Sequence, residues 1–137
     1  MKRLKALLAI LLLVTSFAAN AMSDTAIIVG TKTATTTSVD INKTGYYTAA
    51  ILLNVTAVPT VTTLTLSVRG KDAHGNYYVL CTGTASATTG YVTLTVGSTT
   101  LNVTNVSCNA VLPDTWDIVV THSAAGTFTY GVDYNTQ

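Results

Sequence analysis

The chain has 137 residues, a formal net charge of +1, six Asp and no Glu. With no basic cluster beyond its first five residues, it exerts little electrostatic pull on nucleic acid or anionic lipid, which disfavours both as partners. Its 28 Thr and many Val and Tyr suit a pleated, half-buried surface and exclude disorder, because disordered chains are poor in β-branched and aromatic residues.

Lys2, Arg3 and Lys5 form a basic start, Ala6 to Ala19 carries no charge, and Ala19-Asn20-Ala21 closes the run with a small-x-small site. That order is the secretory signal pattern. The apolar run of about 14 residues is shorter than the roughly 20 that cross a bilayer as a helix. Residues 1–21 therefore read as a cleaved helical signal peptide, with no stable membrane insertion after cleavage; an uncleaved anchor or a buried core helix is the competing reading. Export to the periplasm, the medium or a cell or virion surface follows. Translation from Met22 would instead leave a cytoplasmic product that assembles into virions. Beyond residue 21 the chain holds four Lys/Arg against six Asp, a weakly acidic domain with room for one core.

Residues 22–37 read as a Thr-rich segment with a short strand at Ala26–Val29, and "TKTATTTS", Thr31 to Ser38, is its loosest stretch. The domain proper is expected over 38–137. A short strand at Ser38–Ile41 precedes "YYTAAILLNVTAV", where Tyr47, Ala49, Ile51, Leu53, Val55 and Ala57 share one face. Pro59 ends that strand. Leu64, Leu66 and Val68 then alternate with Thr65, Ser67 and Arg69, and His74-Gly75-Asn76 reads as a hairpin turn into Tyr77–Cys81. Val92, Leu94 and Val96 mark a strand after Gly90; Trp116, Ile118 and Val120 another; Phe128, Tyr130, Val132 and Tyr134 the last. Seven or eight short strands with turn residues between them predict an all-β fold, a single antiparallel β-sandwich of jelly-roll or immunoglobulin-like type. Trp116 is the expected core anchor between the sheets.

Cys81 and Cys108 are the only cysteines. They form either one disulfide, worth about 3 kcal/mol in the chain-entropy model, or two separate buried thiols; the sequence leaves both open. The inventory for catalysis is thin. His74 and His122 lack a partner at metal-ligand spacing. Asp72 with Asn76, and Asp114 with Asp117, supply too few carboxylates for calcium and read as turn formers. No enzyme, cofactor or metal site is expected. The sequons at Asn42, Asn54, Asn102 and Asn105 follow from the Thr content. Tyr46-Tyr47 and Tyr77-Tyr78 place aromatics on both faces of their strands, so one of each pair is expected in the core. Tyr46, Tyr77 and Tyr91 are the candidate interface aromatics.

Within "NAVLPDTWDIVVTHSAAGTFTYGVDYN", the residues Val111, Leu112, Pro113, Thr115, Trp116, Val119, Thr121 and His122, then Thr129, Tyr130 and Val132, resemble the C-terminal half of a group of small tailed-phage virion proteins. The resemblance covers roughly residues 38–134. It implies a compact β-sandwich virion component, a decoration of the capsid or tail surface, with no active site to carry over. Asp117, the cysteine pair and the leader depart from that group. The leading expectation is a non-enzymatic structural protein that self-associates or docks on a larger assembly. An exported bacterial cell-surface or filament-forming adhesive protein that works by edge-strand addition comes second, and a carbohydrate- or ligand-binding module third.

Overall fold

The computed structural model describes residues 25–42, 48–60, 62–97 and 106–136. The signal segment and Tyr46 lie outside the described residues. Ten strands are described: β1 (Thr25–Lys32), β2 (Thr36–Thr37), β3 (Ile41–Asn42), β4 (Thr48–Ala57), β5 (Leu64–Lys71), β6 (Tyr77–Thr82), β7 (Gly90–Gly97), β8 (Val106–Cys108), β9 (Thr115–His122) and β10 (Phe128–Thr136). They form two sheets, a first in the order β1-β10-β4-β7-β8 and a second in the order β2-β9-β5-β6, with β3 also on β9. β1 pairs with β10, β2 with β9, β4 with β7 and β5 with β6. That nesting is one long antiparallel hairpin rolled on itself, and of the two expected types of sandwich it is the jelly roll.

Period-2 alternation is what makes this roll close. Ile51, Leu53 and Val55 of β4, Leu64, Leu66 and Val68 of β5, Val92, Leu94 and Val96 of β7, and Phe128, Tyr130 and Val132 of β10 are all buried between the sheets. Trp116 sits among them with no exposed surface, its ring meeting Tyr134 edge-on at 5.4 Å. The two open flanks of the sandwich are closed differently. On one, the chain crosses directly from β1 to β2 through Thr33–Thr35. On the other, a Cys81–Cys108 disulfide joins β6 of the second sheet to β8 of the first.

Three expectations change. The seven longer strands were legible, but β2, β3 and β8 are two or three residues each, and the short strand expected at Ser38–Ile41 is replaced by β2 and β3 on either side of 38–40, with only Ile41 shared. β8 runs parallel to β7, so the sheets are mostly rather than wholly antiparallel. The stretch expected to be loose, Thr31 to Ser38, instead ends β1 and forms β2. Tyr77 and Tyr78 are both exposed, so neither is in the core. Tyr78 does turn toward the inner face, but it is spent covering Gly70: a Cβ there would meet the Tyr78 ring and Pro113 at 2.8 Å.

Candidate interaction surface

The two outer faces of the sandwich differ in chemistry. On the first sheet, the registers β1–β10, β10–β4 and β4–β7 line up Val29, Gly131, Asn54 and Tyr91 in one row. Val29 is 66% and Tyr91 67% exposed. Gly131, having no side chain, leaves a dip between Val29 and Asn54. The next row across the same face is Asp133, Leu52 and Thr93, and Asp133 is the only charged residue in these two rows. A broad, nearly uncharged face with a rigid aromatic at one end is the composition of a contact surface.

The second sheet gathers its charges outside. Arg69 donates to both carboxylate oxygens of Asp117, its Nε to Oδ1 at 3.0 Å, and Asp117 is 1% exposed. The guanidinium lies 4.6 Å from the centre of the Tyr77 ring and Lys71 Nζ 5.0 Å from it. Lys71 in turn donates to Asp40 at 2.7 Å, and the Tyr77 hydroxyl donates to the other oxygen of Asp40. Lys71 and then Tyr77 hold the Asp40 carboxyl below its ordinary range, while Asp40 pushes Lys71 and Tyr77 up. The hydrogen bond to Asp117 raises Arg69. Every charge in this cluster is answered by a neighbour in its own chain, Arg69 by Asp117 and Lys71 by Asp40.

Both long edges are blunted. The β1–β10 ladder slips between Ala26 and Ile28, and Gly30 has a φ of 101° in the left-handed region that only glycine adopts at little cost. The β5–β6 ladder slips between Val68 and Arg69. Bulges of this kind twist an edge away from further strands.

The remaining candidates are structural. Asp72 accepts from the amides of His74 and Asn76 at 2.9 and 2.8 Å, and Gly75, with φ 87°, completes the turn. Those bonds, led by Asn76, hold its carboxyl below the ordinary range. His74 is exposed beside it. Asp114 lies in a bend after Pro113. Cys81 and Cys108 are joined, and Trp116 is core. Of the candidate interface aromatics, Tyr77 belongs to the charged cluster and Tyr91 to the neutral face. What sequence reading missed is the cluster of Asp40, Arg69, Lys71 and Asp117, and a chain from His122 through Tyr130 to Thr36; their partners lie up to 94 residues apart, so spacing carried no signal. Compared with models of known protein families and with curated proteins, the chain matches none.

Proposed function

We propose that the protein is a non-enzymatic structural component, of the virion-surface kind that roughly residues 38–134 resemble, and that it acts through protein–protein contacts made by the outer face of its first sheet. The observation that carries this reading is the neutral row of Val29, Gly131, Asn54 and Tyr91. A large aliphatic and a rigid aromatic group stand in solvent there, on the face that lacks the charged cluster. The jelly roll, a fold that viral capsid proteins share with lectins, supports it by analogy only. The blunted edges favour docking by a face over strand addition. The partner is then a further copy of the chain or the lattice beneath it.

The test compares the full chain with a Val29→Lys/Tyr91→Lys double variant and with Thr65→Lys on the opposite sheet. Sedimentation over a wide concentration range, and co-sedimentation with particles, are the readouts. Association is expected for the wild type and for Thr65→Lys, and its loss in the double variant. A chain that stays monomeric and off particles, or a double variant that associates normally, overturns the proposal.

A second reading, an exported cell-surface or filament-forming protein, is favoured by the Cys81–Cys108 disulfide, since such bonds persist in oxidising compartments. Fractionation of native cells with thiol labelling tests it. Oxidised protein outside the cytoplasm supports export, and reduced protein confined to the cytoplasm overturns it.

A further inference from the structure

At one end of the sandwich a chain of hydrogen bonds has its direction set by its last member. The Ala34 carbonyl can only accept, so Thr36 Oγ1 donates to it at 3.1 Å. The Tyr130 hydroxyl therefore donates to Thr36 Oγ1 at 3.0 Å, and its own oxygen accepts from Nε2 of His122 at 3.0 Å. This holds the imidazole as the Nε2–H tautomer with Nδ1 bare. Among the described residues Nδ1 is buried and has no hydrogen-bond partner. The ring lies 4.2 Å from that of Phe128 and 5.7 Å from that of Tyr130. Phe128 and Tyr130 of β10 lie against the ring, Leu64 is opposite His122 in the β5–β9 pair, Thr36 stands behind the Tyr130 hydroxyl, and Thr35 of the crossover accepts from the His122 backbone amide. Tyr130 is the one titratable group among these and is uncharged at neutral pH. On β1, Lys32 stands in register with Phe128, and a cation on that side can only further disfavour a second positive charge on the ring.

The crossover beside this histidine covers one edge of β9. The His122 amide donates to Thr35 Oγ1 at 3.2 Å. Thr36 and Thr37 pair with Val120 and Val119. The Ser38 amide donates to the Ile118 carbonyl at 2.9 Å, and the Ile118 amide to Ser38 Oγ at 3.0 Å. β2 is two residues long, and β9 is its only sheet partner among the described residues.

We infer that His122 is an acid-sensitive latch, whose protonation at Nδ1 releases the crossover and uncovers the edge of β9 from Ile118 to His122. A solvent proton adds to the bare nitrogen and no covalent bond breaks. The resulting cation has an N–H with no acceptor beside a phenyl ring, which burial penalises; the released state hydrates it. Burial already holds His122 below its ordinary 6.5. The latched state thus binds fewer protons than the released one, so the latch is intact above about 6.5 and fails as pH falls through the lowered value.

The experiment is NMR of the full chain from pH 8 to 5, following amide protection and the imidazole nitrogens. Protection at the Ile118 and His122 amides should fall by up to about tenfold per pH unit below about 6.5, while that of Leu94 in the other sheet holds. In His122→Phe the same amides should show protection independent of pH. The nitrogen shifts should report the Nε2–H tautomer. An Nδ1–H tautomer, a His122 titration at or above 6.5, or constant wild-type protection at Ile118 and His122 would each overturn the inference. Tautomer and titration are read on the wild type, so they decide the matter even where His122→Phe does not fold.

Discussion

Trp116 and Asp117 are adjacent on β9 and both are closed to solvent, but for opposite reasons. Trp116 fills the space between the sheets, and its indole N–H has no hydrogen-bond partner among the described residues. Trp116→Ala should therefore cost about 3–5 kcal/mol in urea unfolding. Trp116→Phe should cost clearly less, since it removes the unsatisfied donor along with some volume. Asp117 points the other way, under Arg69, whose side chain is 30% exposed. Arg69→Met strands a buried carboxylate and should cost about 1–3 kcal/mol, less than a fully buried pair because water reaches the guanidinium. A double-mutant cycle with Asp117→Leu checks this: the double variant should recover part of the loss. The place of Trp116 was legible from alternation with Ile118 and Val120. The burial of Asp117 was not, because period-2 alternation puts it outside and only Arg69, 48 residues away, explains why it can be covered.

At the scale of elements, the sandwich depends on how its flanks are tied. β8 has three residues and, among the described residues, a single parallel partner, so the bond from Cys108 to Cys81 does more to hold it than its ladder does. Cys81→Ser/Cys108→Ser should lower stability by about 3 kcal/mol, mainly by freeing the unfolded chain, and reductant should do the same to the wild type. The second tie is Tyr78 over Gly70. Gly70 lies in register between Trp116 and Tyr78, so the ring closes the core where the sheet itself has no side chain. Gly70→Ala should cost about 1–3 kcal/mol through overpacking, and Tyr78→Ala in the same chain should return part of it. β4, β5, β7, β9 and β10 could be read from sequence because each buries an apolar stripe; β6 was read from its β-branched and aromatic residues, although Cys81 is the one side chain it buries. β2 and β8 could not be read, and β3 was met only at Ile41 by the strand expected over Ser38–Ile41, since strands of two or three residues have no period to detect. Tyr78 misled for a different reason: its register with Gly70 does place it on the inner face, but there it lies over the glycine beside Pro113 and stays 46% exposed.

For the whole molecule, the division of charge between its two faces sets a pH profile as well as a contact surface. The neutral face was only half visible in the sequence. Tyr91 stood out, whereas its alignment with Asn54, Gly131 and Val29 depends on a strand order that brings β1 and β7 into one sheet. The charged face and the His122 chain give stability three limbs. His122 is held low, so its contribution is present above about 6.5 and lost as pH falls below it. Asp40 and Asp72 are held below 3.8; their contributions are present above that value and lost as pH falls through the folded-state values. Tyr77 and Tyr130 are raised from 10.0 and Lys71 from 10.5. Each of these three keeps its proton longer when folded, so its contribution is present below the ordinary value and lost as pH rises through the raised one. Urea midpoints should accordingly form a plateau between about 6.5 and 10, with a first acid step, a second below about 4, and an alkaline fall. Variants separate the limbs. His122→Phe should remove the first acid step only. Asp72→Asn should shrink the second while keeping the turn, because asparagine still supplies an oxygen to the amides of His74 and Asn76. Tyr77→Phe should weaken the alkaline fall by removing one of its three groups, and should weaken the second acid step as well, because Asp40 then loses a donor. A single acid step below about 4, unchanged by His122→Phe, would leave the carboxylates as the source of acid sensitivity and remove His122 from the account.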